Sequence, residues 1–199
     1  MKVKINFAIT FFLIIVSIIF PNSIFGINNI PFDESEISIL TNLRLKYYQA
    51  VEDEDYLDEL DSFVKNEIPK NEKFKVYSIA YSGGIAAVKS KHAFWPMKKL
   101  NYLKESLRFL NQAIEMDPDN LEIRFMRFSI LHYVPSFLGY NSEKENDAAV
   151  IVKLLMRKDY SILDSEIQNG IAEFMINSKR LDDNSILSLR NELTYLKSK

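Results

Sequence analysis

Leu107–Phe128 reads LRFLNQAIEMDPDNLEIRFMRF. Upstream of its centre, Leu100, Leu103, Leu107, Leu110 and Ile114 recur at the spacing of one helix face. Downstream, an apolar-periodic segment runs from Leu121 to Tyr133. Asp117-Pro118-Asp119-Asn120 lies between them. Proline costs a helix interior about 3 kcal/mol but is tolerated in a first turn or just beyond an end, and Asn is a favoured N-cap. The stretch therefore predicts one helix closing near Met116 and another opening at once, with no room for a long loop.

The same punctuation repeats on both sides. Pro31, Pro69, Pro96 and Pro135 fall between apolar-periodic segments. Asp33 or Ser35 is expected to cap a helix to about Val51, followed by a shorter one over Asp55–Glu67 and a third from Asn71 to about Lys89. Pro96 suits the first turn of the fourth. After a seven-residue apolar loop, Pro135–Asn141, a helix over Glu143–Lys158 is expected to bury Ala148, Val152 and Leu155. Asp164, and then Asp182 or Asn184, cap the last two. No useful alternation at period two occurs, so the fold class is all-α, with seven or eight helices in antiparallel pairs.

Ser106, Leu110, Ala113 and Pro118 stand at the steps of the second-helix pattern of the tetratricopeptide (TPR) family. There, small residues admit a neighbouring helix and a large apolar residue fills the gap. Over about thirty residues the chain resembles a divergent TPR-like repeat. The resemblance implies helix pairs stacked as a right-handed superhelix and a role in binding another protein. It fades outward: no second clear 34-residue copy is present, and the family's first-helix signature is missing near Ser90 and Ala93-Phe94. The whole chain also resembles small exported bacterial helical proteins without an assigned activity, and that likeness carries no functional residue across.

The N-terminus sets the destination. Lys2 and Lys4 precede the apolar run Ile5–Phe20, which Pro21-Asn22-Ser23 breaks, and Gly26 offers a cleavage position. This is the layout of a secretory signal peptide over residues 1–26. It leaves 27–199 as one domain in the periplasm or outside the cell. Retained instead, the run would be a short inner-membrane anchor, since a span needs about 20 apolar residues. Across 199 residues, 25 Lys+Arg face 27 Asp+Glu, a net charge of −2. Such a balance does not suit general nucleic-acid binding, which needs a basic field. The absence of cysteine removes disulfides, thiol nucleophiles and thiolate metal sites.

Two loops are candidate binding sites. KSKHAFWPMKK (Lys89–Lys99) concentrates Lys89, Lys91, Lys98 and Lys99 with His92 and the sole tryptophan, Trp95. Interleaved basic and aromatic residues can hold an anionic group. The plainer reading is a long turn whose Phe94 and Trp95 plug the end of the helical stack while the lysines face water. The second loop, PSFLGYN, offers Phe137 and Tyr140, which either pack inward or meet a partner.

Other patterns read as structural. Ser82-Gly83-Gly84 inside a helix is expected to let the helix starting at Pro96 cross closely, and Ser82 lacks the Gly-x-Ser-x-Gly elbow of a nucleophile. His92 and His132 belong to no zinc-binding pair. Glu52–Asp55, with Asp58, Glu59 and Asp61, reads as a solvated acidic cap, without the glycine a calcium loop needs. No metal or cofactor is called for.

These observations point to an exported interaction or scaffold domain. Lys89, Lys91, Trp95, Lys98, Lys99, Phe137 and Tyr140 form the expected contact set. The alternatives are a hydrolase using carboxylates gathered by folding, and a membrane-tethered structural protein.

Overall fold

A computed structural model of the chain describes residues 32–197, the side chains of 194–197 excepted. The expected signal segment, residues 1–26, lies outside them. The described residues contain eight α-helices and no strand: α1 (Glu34–Glu52), α2 (Leu57–Asn66), α3 (Glu72–His92), α4 (Pro96–Met116), α5 (Leu121–His132), α6 (Asn141–Leu155), α7 (Ser165–Asn177) and α8 (Asp183–Lys197). Short 3-10 turns at Glu54–Tyr56 and Ser136–Leu138 complete the set. None of these helices is long and apolar enough to cross a membrane. Packing divides the chain into two compact units, Phe32–Leu138 and the residues from Gly139 onward. No composition shift marks that boundary; it falls inside the PSFLGYN loop.

Local chemistry explains the helix ends. Asp33 forms a reciprocal capping box with Glu36, so two otherwise orphaned N–H groups are satisfied at the start of α1. Asn71, Asn120 and Asp164 cap α3, α5 and α7 by accepting from the backbone N–H three residues on. The Asp182 carboxylate accepts from Ser185 N–H at the head of α8, at 2.9 Å. Pro96 occupies the first turn of α4, where its missing N–H costs nothing. The break between α4 and α5 falls at Asp117–Asn120, as the sequence pattern requires.

In the first unit, α1, α3 and α5 run parallel. Phe32, just before α1, meets Phe74 and Tyr77 edge-on at 5.3 and 5.8 Å, and further along α1 Tyr47 meets Tyr81 at 5.5 Å. On α5, Asn120, Glu122 and Met126 meet Tyr77, Tyr81 and Gly84 in the same ascending order. Between these three, α2 and α4 return in the opposite sense. Phe32 belongs to no periodic segment of the sequence; in the structure it is 5% exposed and belongs to the core. One residue before a cap carries no periodicity of its own, so pattern alone does not reveal it.

The close α3–α4 crossing is built from small residues. A Cβ on Gly83 would lie 2.9 Å from Leu110 Cγ and 3.0 Å from the Ser106 carbonyl. Ser106 and Ala113 are fully buried. Here the two helices approach too closely for any larger residue, which is what the glycine pair implied.

The second unit holds α6, α7 and α8, with Lys158 pairing Glu192 at 2.7 Å. Its α6 stops at Leu155 rather than Lys158, and the buried face is rotated from the expected one. Ala148 and Leu155 are inside as anticipated, Val152 is half-buried, and Ile151, Leu154, Lys144 and Asp147 are buried instead. A sequence stripe drawn through apolar residues misses a face that includes two charged ones. Lys158 and Lys179, just past α6 and α7, take left-handed φ values of 55° and 58°, ending the helices where glycine is usual.

Candidate functional site

The loop expected over Lys89–Lys99 is almost entirely helix. Helix α3 continues to His92 and α4 begins at Pro96, leaving only Ala93, Phe94 and Trp95 as the turn. Both helices are 21 residues long, so this turn is the apex of an extended hairpin. Phe94, Trp95 and Met97 are 84%, 63% and 70% exposed. The expectation that Phe94 and Trp95 plug the end of the helical stack is therefore corrected. A three-residue turn gives neither ring enough chain to fold back, and the two rings meet each other edge-on at 5.2 Å.

The lysines divide by role. Lys91 donates its ammonium to the Val51 carbonyl at the end of α1. Lys99 donates to the Lys91 carbonyl at 3.0 Å, and Ser90 Oγ donates to the Lys99 carbonyl at 2.9 Å. The Val51 and Lys91 carbonyls belong to the last turns of α1 and α3, where a helix leaves such groups open. Lys89 is half-buried and Lys98 exposed. Phe137, in the 3-10 turn of the same unit, is 86% exposed. Tyr140 belongs to the other unit, where it precedes α6 and is half-buried.

A second cluster was not anticipated. Arg44 of α1 meets Glu122 of α5 with both ends of its guanidinium, Nε to Oε1 at 3.0 Å and Nη2 to Oε2 at 2.8 Å. Tyr81 of α3 donates its phenol to the same Oε1 at 2.5 Å. One carboxylate thus ties three helices. Beside it, Asn120 donates to Tyr77 Oη at 3.3 Å and to Asp117 at 3.0 Å. Burial works to lower the Arg44 pKa, but the Glu122 charge and hydrogen bonds more than reverse it, holding the guanidinium above its ordinary value. Burial pushes the Tyr47 phenol up to about 12. Burial, then the Glu122 charge, raises Tyr77, and raises Tyr81 well above its usual range. All three phenols are neutral donors or ring surfaces near neutral pH. A carboxylate gripped on both oxygens fastens together the helices that hold it.

The remaining sequence candidates settle into local roles. Ser82 Oγ donates to the Ser78 carbonyl one turn back, at 2.8 Å. His132 meets Tyr133 edge-on at 4.9 Å. Asp53 caps the 3-10 turn by accepting from Asp55 N–H, while Glu54, Asp55, Asp58 and Glu59 are exposed. Among the described residues, no group of three or more His, Asp and Glu is arranged to hold a metal ion. Arg44 and Glu122 could not be paired from the sequence, since 78 positions separate them. The available signal was weaker: Tyr77 and Tyr81 one helical turn apart on an apolar face, needing a polar partner for each hydroxyl.

Comparison with protein-family models, with curated proteins and with solved structures gives no match.

Proposed function

We propose that this chain is an exported docking domain, a TPR-like helical scaffold that holds a partner through the apex of the α3–α4 hairpin. The observation that carries the reading is the adjacency of Phe94, Trp95 and Met97, all exposed, on a turn fixed between two long helices. Exposed large apolar side chains gathered on a rigid element mark contact surfaces. The parallel row α1, α3, α5, with α2 and α4 returning behind it, fits first and second helices of successive pairs. Gly83 and Ser106 at the pair seam fit the small-residue logic of such repeats. Binding is favoured over a carboxylate hydrolase because Glu122 is held by Arg44 and Tyr81 and is not free as a general base.

Recovery of partners from an envelope fraction, with the wild type and with a Trp95→Ala, Phe137→Ala double variant, tests the reading. The variant is expected to lose most of what the wild type recovers while keeping its helical circular dichroism. Equal recovery would end the proposal. Export has its own check: mass spectrometry of the mature N-terminus is expected to find cleavage after Gly26.

A further inference from the structure

Between Lys73 and Lys104 the chain has seven lysines and not one Asp or Glu, although the protein as a whole carries a net charge of −2. Lys73 and Lys75 lie in the first turn of α3 and pair with Glu36 and Glu72; the other five, Lys89, Lys91, Lys98, Lys99 and Lys104, lie on the end of α3 and the start of α4, on either side of the turn. The fold therefore bends the acid-free segment Lys89–Lys104 back on itself and sets Phe94, Trp95 and Met97 at the bend. Apolar side chains lead, and lysines stand behind them on both arms of the hairpin.

Resting on the docking reading above, we infer that the surface this apex meets is an anionic lipid bilayer, with Phe94, Trp95 and Met97 entering the headgroup region and Lys89 and Lys98 facing lipid phosphates. Three features favour lipid. First, the contact is small. Three side chains offer on the order of 400 Å² of apolar area, about half of what one partner gives a standard protein interface. A bilayer accepts such a small projecting tip without a complementary pocket. Second, the composition is that of a membrane interface, where Trp sits at headgroup depth and lysines flank it. Third, the charge is complementary: a juxtamembrane Lys contributes attraction to anionic lipid over about a Debye length. The acidic run starting at Glu52 follows the end of α1, beside Lys91, whose ammonium is already placed on the Val51 carbonyl. Among the described residues Lys89 and Lys98 donate to no such carbonyl, and they flank the turn where lipid phosphates would lie.

Trp95 is the sole tryptophan, so the exported protein reports on its own apex without a label. The wild type, mixed with vesicles of phosphatidylcholine alone or with phosphatidylglycerol added, is read by Trp emission and by quenching from brominated acyl chains. A blue shift and strong quenching are expected on the anionic vesicles and little change on the neutral ones. Lys98→Glu is expected to weaken partitioning about tenfold, and a Phe94→Ser, Met97→Ser variant, which keeps Trp95, to lose the quenching.

The protein used is the exported form that begins after Gly26, so residues 5–20 add no partitioning of their own. Were Trp95 to remain unquenched on anionic vesicles, or be quenched equally on neutral ones regardless of Lys98→Glu, the lipid assignment would be overturned. Protection of Trp95 only when envelope proteins are present would also overturn it, while leaving apex docking intact with a protein as occupant. Unchanged envelope recovery by the Trp95→Ala, Phe137→Ala variant would instead sink the docking reading itself.

Discussion

The Arg44–Glu122–Tyr81 junction and the Phe94–Met97 apex sit on the same helix, α3 contributing to one and leading into the other, and they invert the usual placement of residues. At the junction, charged side chains only 16% and 11% exposed face each other inside the helix row. At the apex, two aromatics and a methionine face water. Buried charge and clustered exposed apolar surface are both departures from ordinary sorting, and each needs a cause. The junction's cause is internal: every charge has its partner in the fold, so it holds helices in register. For the apex, the described residues leave Phe94, Trp95 and Met97 exposed, and the proposed docking would supply their cause.

If the comparison is right, the two regions answer substitution in opposite ways. The largest effect is expected at the junction. Glu122→Ala leaves Arg44 partly buried without its carboxylate and should cost about 3 kcal/mol in urea unfolding. An Arg44→Met, Glu122→Leu pair should be closer to wild type than either single removal, because no uncompensated charge is left behind. Additive losses in the pair would show that the two residues do not act together.

Gly83→Ala comes next, at about 2 kcal/mol, since its new methyl meets Leu110 and the unyielding Ser106 backbone at 2.9 and 3.0 Å. Gly84→Ala should cost less. Its nearest neighbour is the edge of the Tyr47 ring at 2.8 Å, which can tilt, and the gain in helix propensity offsets part of the clash. A reversed order, read from thermal midpoints, would refute the close backbone approach at Gly83.

The tyrosines give the junction a pH signature. Tyr47 is held at about 12 against an ordinary 10.0, with Tyr77 and Tyr81 shifted the same way. As pH rises past 10 the unfolded chain releases these protons and the folded one keeps them, so the unfolded state binds fewer. Stability is then full below pH 10 and declines as pH climbs toward 12. Tyrosinate absorbance at 295 nm should appear for these residues together with loss of helix, and Tyr47→Phe should move the alkaline midpoint upward. Smallest of all is the apex: Phe94→Ser should change stability by less than about 0.5 kcal/mol while abolishing docking. A large loss would mean that the ring packs in solution.

Much of the helical order was legible because caps and prolines act over a few residues. Asp33, Asn71, Pro96, Asn120 and Asp164 each satisfy or delete a backbone donor within one turn, so their positions alone place helix starts. The Gly83–Ser106 crossing was legible too, because glycine in a helix needs a reason. At the apex, the sequence reading named Lys89–Lys99 as a candidate but misjudged the environment of its aromatic residues. Whether Trp95 folds inward depends on how far α3 extends, and three added residues of helix shortened the turn until it could not. The α6 face was misread for a related reason: Lys144 and Asp147 are buried, and amphipathic pattern assigns charge to water.

Amino-acid order by itself determined that this chain is helical, where most helices begin, and which of them cross closely, since those properties follow from backbone donors, φ preferences and side-chain size within a few residues. Tertiary structure alone decided that Glu122 would be shared by Arg44 and Tyr81 and that Phe94 and Trp95 would be left outside. Both depend on which distant helices arrive beside a residue, and nothing local to that residue encodes who its neighbours across the fold will be.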